Sequence, residues 1–225
     1  MPGNFDSVAD IYDSVFKKYV RDHYLEKRLK YIKRNFGNRK KILDVGCGTG
    51  LLAMHLLQAG FDVYGVDVSP EMVKIAQKRL PGRIVCASVE NIPFPDNSFD
   101  GVICIATLHH LSVTGFALAI KEMVRVLRIG GRLLIWDHNR INPYWLWLMK
   151  KVPQDTGRER IFSAKNIMRQ MKNTGLTMIK YERKGFVPDF ASVLSIPMFT
   201  FLEKGIENIP LVNFMCAHEV ILGEK

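Results

Sequence analysis

The chain is short of the features that mark several large protein classes. Among its 225 residues are only four cysteines, Cys47, Cys86, Cys104 and Cys216. They form no CxxC pair and no Cys/His ligand spacing, so neither a zinc module nor a disulfide framework is indicated, and a reducing cytoplasm is the default compartment. The opening MPGNFDSVAD carries acids and no apolar core, unlike a secretory signal peptide. Long hydrophobic runs are missing too. Pro143 to Met149 is too short, and Phe186 to Leu202 is interrupted by Pro188, Asp189 and Pro197, against the ~20 residues a span requires. No internal repeat and no low-complexity linker is present. With 48% hydrophobic and 24% charged residues, what is left is an ordinary globular composition that can bury a core without staples.

Positive charge is in excess. The net charge is +10, and between Lys17 and Lys41 eleven Lys/Arg stand against Asp22 and Glu26. Such a segment either attracts something anionic, such as a phosphate-bearing lipid, a nucleotide-linked substrate or RNA, or is the solvated face of a helix. Charge speaks to association and not to fold.

Hydrophobic periodicity predicts strands alternating with helices. Lys41 to Val45 reads as a strand, followed by a helix from about Gly50 to Ala59 that Gly60 stops. Asp62 to Asp67 is a second strand. Ser69 as N-cap and Pro70 at the first helical position open a helix that ends at Pro81-Gly82. Arg83 to Cys86 and the apolar run Phe99 to Ala106 are strands three and four. A helix over 114–127, a Gly130-Gly131 turn and a strand from Arg132 to Asp137 complete the run. This alternation implies an α/β fold, with a parallel sheet covered on both faces. Later elements are less regular: a polar and aromatic insertion over 138–162, a helix from Ser163 to Asn173, a strand from Leu176 to Tyr181, an apolar segment from Phe186 to Leu211 broken by prolines, and a last strand from Phe214 to Leu222. The economical organisation is one domain: a helical cap over 1–40, a core over 41–137, and substrate-side insertions with the last strands over 138–225.

The chemistry centres on Ile42-Leu43-Asp44-Val45-Gly46-Cys47-Gly48-Thr49-Gly50, which puts three glycines between the first strand and the first helix. Glycine permits close backbone approach to a ligand, and the helix start offers free N–H groups. A dinucleotide fingerprint needs GxGxxG, but position 51 is Leu and the pattern is GxGxG. Asp67 closes the second strand, where an acid can accept both hydroxyls of a ribose.

These residues, with Gly65-Val66-Asp67-Val68-Ser69, ENIPFPDNSFD (Glu90 to Asp100), Leu108-His109-His110 and EMVRVLRIGGRLLIWD (Glu122 to Asp137), resemble the class I S-adenosylmethionine-dependent methyltransferases. Closest is the type 11 branch that includes ubiquinone/menaquinone-biosynthesis methyltransferases. The resemblance spans about residues 40–137 and the opening Ala9-Asp10-Ile11-Tyr12-Asp13, where such enzymes often carry a tyrosine near the cofactor. It implies a Rossmann-like, seven-stranded, mostly parallel sheet and S-adenosyl-L-methionine as cofactor. Gly46, Cys47 and Gly48 would face its methionine part, Asp44 would hold the loop and the amino group, and Asp67 the ribose. Tyr12, Val68, Val89 and Ala106 belong to the same implied site. Ser88 stands where the family often has the acid that accepts the adenine amino group, and its hydroxyl can accept that bond without a charge.

The acceptor is bounded mainly by exclusion. The fourth strand ends Ile105-Ala106-Thr107-Leu108, without an Asn/Asp-Pro-Pro-Tyr box or a Pro-Cys pair, so DNA bases and C5 of pyrimidines are not expected targets. No acid there invites a divalent ion, and no metal is expected. Ligands of open α/β sheets bind beyond the carboxyl ends of the strands, which makes His109, His110, Asp137, His138 and Asn139 candidates for base or acceptor orienter. Asp137 with His138 is the preferred pair, since a carboxylate can fix an imidazole tautomer. Asn139, Asn142, Tyr144, Gln154, Asp155, Arg158, Glu159 and Arg160 make the following insertion polar, and Val187 to Leu202 can close the same site. Tyr12, His109, His138, Tyr144 and Trp145 are expected to line one cavity. The expected substrate is a small apolar or amphipathic molecule, quinone-like or lipid-linked, with peripheral contact to an anionic membrane surface; the alternative is an RNA-modifying enzyme using Lys17 to Lys41.

Overall fold

The computed structural model describes residues 5–37, 41–148, 150, 152–153, 155 and 159–225. Gln154 and Arg158 lie outside the described residues. The chain opens with a short helix α1 (Phe5–Val8), a 3-10 turn (Ala9–Ser14) and a long helix α2 (Lys18–Phe36). The strands and helices of the core follow: β1 (Lys41–Val45), α3 (Leu51–Gln58), β2 (Asp62–Asp67), α4 (Pro70–Arg79), β3 (Ile84–Cys86), β4 (Phe99–Ile105), α5 (Val113–Val126) and β5 (Leu127–His138). The late elements are α6 (Tyr144–Leu148), α7 (Ala164–Asn173), β6 (Thr177–Lys184), α8 (Ile196–Asn208) and β7 (His218–Glu224). Among the described residues seven strands form one sheet, in the order β3-β2-β1-β4-β5-β7-β6. β7 runs antiparallel to both its neighbours and the other pairings are parallel.

Side chains alternate across the strands and so build a core on each face. Leu43, Val45 and Val102 pack with Phe116, Ile120 and Met123 of α5 and Ile167 and Met171 of α7. Ile42, Val63 and Ile103 pack on the other face with Ala53 and Leu56 of α3, Val73 and Ala76 of α4, and Ile32 and Phe36 of α2. The N-terminal helix is therefore more than a cap, because its second half covers the sheet. Gly101 makes this possible: a Cβ there would come within 2.4 Å of the Phe36 ring. Ser69 caps α4 as its sequence predicts, accepting from the Met72 N–H at 3.1 Å.

Four elements differ from expectation. β5 begins at Leu127 because that residue pairs with Phe99, and a register shift between Phe99 and Gly101 absorbs the glycines expected to form a turn. β6 and β7 both run further toward the chain end, since they pair with each other from Thr177↔Glu224 to Lys184↔His218. The apolar segment after Phe186 contains α8, whose start accommodates Pro197 in its first turn.

Candidate active site

The ends of β1, β2, β4 and β5 meet at one edge of the sheet. After β1 the chain turns through Gly46, Gly48 and Gly50, all at positive φ. Gly46 is doubly constrained, because a Cβ there would fall 2.3 Å from Thr107 Oγ1. The Gly46 and Cys47 amides donate to the Val66 carbonyl, and the Gly48 amide donates to Asp67 Oδ2 at 2.8 Å. Asp67 Oδ1 accepts from the Ser69 amide at 3.0 Å, so each carboxylate oxygen keeps a second lone pair for a ligand.

The N-terminal turn is clasped onto this loop. Asp13 accepts from Thr49 Oγ1 at 2.8 Å and pairs with Arg79 at 2.5 Å, while Asp6 accepts from Ser69 Oγ. The result is that Tyr12 lies over Gly48, where a Cβ would meet only its ring, 3.8 Å away. Burial pushes the Tyr12 phenol up to about 12, so it stays a neutral donor. Asp44 is buried at the end of β1. Burial and then the charge of Asp67 raise it to about 7 despite Arg28 nearby, the condition of a carboxylate that a ligand cation would stabilise.

A cavity of about 570 Å³ extends from this loop across the strand ends. Tyr12, Asp44, Gly46, Cys47, Gly48 and Ala106 line it at one end, and His109, His110, His138, Tyr144 and Trp145 line it further on. All five residues expected to share a cavity do so. Ala106 holds φ 52, a conformation that costs a non-glycine residue energy and that clusters at functional sites. Asp67, Val68, Ser88 and Val89 lie outside this lining. They sit together beyond β2 and β3, where the Ala87 amide donates to the Asp67 carbonyl. There the Ser88 hydroxyl accepts from the Glu90 amide, and the Val89 side chain is in the core.

The expected pairing of Asp137 with the His138 ring is corrected. Asp137 Oδ1 accepts from His109 Nδ1 at 2.7 Å and from the His138 backbone amide at 2.7 Å, and Oδ2 accepts from the Leu108 amide at 2.9 Å. The reason is the strand alternation. The carboxylate of the penultimate β5 residue points at the loop after β4, while the His138 ring lies on Trp145, with centroids 3.7 Å apart. Burial alone would raise Asp137, but His109 beside it holds it well below the usual carboxylate range. Burial likewise opposes the charging of His109, yet Asp137 wins and raises it above 6.5. His138 is driven well below 6.5 by burial and by His109, and His110 to about 3 by the same two causes. His110 also packs edge-on against Phe5. Asn139 is a clamp instead of an orienter, since its amide donates to the Phe214 and Cys216 carbonyls.

Sequence spacing hid one clustering. His109, Asp137 and His138, and separately His109, His110 and Asp155, bring potential ligand atoms within 4.8 Å of one another. In the first group the Asp137 oxygens already hold three hydrogen bonds, an arrangement that suits a proton-holding dyad.

Arg28 was also missed. It sits inside the basic segment, but with Val20 and Tyr24 it forms an i, i+4, i+8 stripe of α2 that faces the cavity. Its Nε is buried without a hydrogen-bond partner among the described residues. The helical spacing of 20, 24 and 28 was the available signal. Other basic residues of the segment are engaged within the fold: Lys27 pairs with Glu203 and Glu207, Lys30 with Glu26, and Lys18 with Asp22. Lys27 is thus drawn into the fold, while Lys18 and Lys30 stay exposed in surface pairs.

A sheet in this order, with a glycine loop after its first strand and an acid closing its second, defines a nucleoside-binding class I methyltransferase fold. Residues 43–135 match the family described as "Methyltransferase domain". An uncharacterized methyltransferase of Mycobacterium tuberculosis is 41% identical over 100 residues, 44% of this chain and 40% of that protein. A demethylmenaquinone methyltransferase of Tropheryma whipplei is 32% identical over 168 residues, 67% of this chain and 66% of that one. A crystal structure of a Thermotoga maritima S-adenosylmethionine-dependent methyltransferase superposes with a TM-score of 0.75 at 23% identity, covering 98% of this chain and 97% of that one. Residues 43–135 thus carry a methyltransferase domain of the type 11 family, and the chain spans 40% and 66% of the lengths of the Mycobacterium and Tropheryma relatives.

The residues present fit the family's cofactor. Asp67 has one amide hydrogen bond on each carboxylate oxygen and room for ribose hydroxyls, Asp44 and Arg28 face the same cavity with Arg28 Nε lacking a hydrogen-bond partner among the described residues, and Gly48 is a cradle that Tyr12 covers. Among the described residues no helix is long and apolar enough to cross a membrane.

Proposed function

We propose that this protein transfers a methyl group to a small, mainly apolar acceptor, quinone-like or lipid-linked, enclosed in the cavity beside the glycine loop. The observation that carries the reading is the continuity of that cavity. It runs from Asp44 and Gly48 past the His109–Asp137 pair into a chamber walled by Tyr24, Tyr144, Trp145, Phe186, Phe190 and Phe199. Its lining, mainly apolar with a few polar anchors, is that of a small-molecule site.

Asp44, Arg28, Asp67 and Tyr12 would hold S-adenosyl-L-methionine. When bound, that group supplies an electrophilic methyl. The protein's part is alignment, exclusion of water and proton removal. Asp137 holds His109 with Nδ1 protonated and leaves Nε2 as the nitrogen that can take the acceptor's proton. His138 stays neutral, and its buried Nδ1 has no hydrogen-bond partner among the described residues, so it serves to orient the acceptor. The aromatic walls exclude water and hold the apolar body. The name of the Tropheryma relative supports a quinone-type acceptor, and the burial of Lys27 against Glu203 and of Arg28 toward the cavity removes two cations from any phosphate track for RNA. The test is transfer of a labelled methyl group to lipid extract and to bulk RNA in parallel. Label in extractable small molecules is expected, and label confined to RNA would overturn the reading.

A further inference from the structure

Helix α8 is built the wrong way out for a water-facing surface. Its acids point inward. Glu203, only 2% exposed, meets His23, Lys27 and the Phe186 amide, and Glu207 meets Lys27, Lys184 and the Gly185 amide. Its outer side carries Met198, Phe201 and Leu202, all exposed, at the i, i+3, i+4 spacing of one helical face. Leu194 extends that face at 92% exposure, Phe201 reaches 77%, and Leu211 beyond the helix reaches 86%. An apolar face of this extent marks a site of contact.

The face is continuous with the cavity mouth. Phe199, on the inner side of the same helix, lines the cavity, as do Phe190, Phe214 and Met215, which flank the exposed stretch. Exposed cations occur on α8 and beside α6. Lys204 on α8 and Arg140 and Lys150 near α6 are exposed, whereas Glu203 and Glu207 are turned in and Asp189 Oδ1 is buried. Lys17 lies against the 190–191 backbone.

We propose that the outer face of α8, with Leu194 and Leu211, docks on an anionic lipid surface and sets the cavity mouth against it. Apolar side chains flanked by cations are the composition that such surfaces bind, and an acceptor dissolved in the lipid could then enter without crossing water. A second copy of the chain is the poorer occupant, because it would set two chains of charge +10 face to face. The docking is independent of turnover, so it can fail while the methyl-transfer reading stands, and the reverse.

The experiment is co-sedimentation of the full chain with vesicles of phosphatidylcholine alone or with added phosphatidylglycerol, at low and high salt. The wild-type chain is expected to bind the anionic vesicles, more weakly as salt rises. Leu194→Ser with Phe201→Ser should lower that affinity roughly tenfold or more, and Lys204→Glu should weaken it only for anionic vesicles. Unchanged thermal melts and cofactor binding would show that the variants fold. Absence of vesicle binding, binding indifferent to these substitutions, or a concentration-dependent dimer that they dissolve would overturn the proposal, the last in favour of a second copy.

Discussion

The two ends of the cavity differ in how their polar groups are satisfied. At the glycine loop, Asp67 is held by two backbone amides and the Gly46 and Cys47 amides share one carbonyl. At the far end His138 Nδ1, His218 Nδ1, Tyr144 Oη, Asp155 Oδ1 and Asp189 Oδ1 are buried without a hydrogen-bond partner among the described residues. Buried polar atoms are nearly always paired. The first end is a loop fixed mainly by backbone, with Arg28 Nε beside it the atom that lacks a hydrogen-bond partner among the described residues, and it suits the cofactor of the family. The second is a set of side-chain atoms without hydrogen bonds, and under the proposed function it is where one acceptor would be distinguished from another.

That contrast predicts which substitutions harm chemistry and which harm binding. His109→Ala should lower turnover by roughly 10² to 10⁴ while leaving cofactor affinity unchanged, and His138→Ala should chiefly raise the KM for the acceptor. Parallel steady-state kinetics and calorimetry separate the two, and the contrast breaks if His138→Ala carries the larger loss of turnover. At the cradle, Asp67→Ala and Arg28→Ala should each cost roughly 1.5 to 3 kcal/mol of cofactor affinity, the worth of a hydrogen bond to a charged group. Calorimetry showing unchanged affinity in either variant would remove that residue from the site.

A smaller effect belongs to the strut between α2 and α8. Burial would raise Glu203, but His23 and Lys27 hold it down to about 2 from an ordinary 4.5. Its contribution to stability is therefore full above pH 4.5 and lost as pH falls toward 2. Thermal melts across that window should show an acid slope that Glu203→Gln flattens. The smallest expected effect is none: chelation should leave transfer unchanged, because Asp137 is already engaged by His109 and two amides. Loss of activity with a chelator and rescue by a divalent ion would reassign the histidine cluster as a metal centre.

The same division governs what was legible in the sequence. The core from Lys41 to Asp137 is readable because its loop is shaped by glycines and an acid at fixed spacing, as in Gly46 to Gly50 and Asp67. The late region is readable only in kind. The aromatic insertion does line the cavity, but nothing in Asp137-His138 reveals that strand alternation sends the carboxylate to His109. α8 was hidden by Pro197, which reads as a breaker yet fits a first turn. Arg28 was hidden by its neighbours, whose shared charge suggested one basic face while helical spacing sent this side chain inward.

The assignment of His109 as the base rests on Asp137 serving it. The most direct measurement is a pH titration of the histidine ring signals by NMR in the free protein, with His109→Gln and His138→Gln to assign them. It needs no acceptor. His109 should titrate above 6.5 and lose that elevation in Asp137→Asn, while His138 stays neutral far below it. A His138 that titrates above 6.5 with His109 below it, both indifferent to Asp137→Asn, would contradict the assignment of the base.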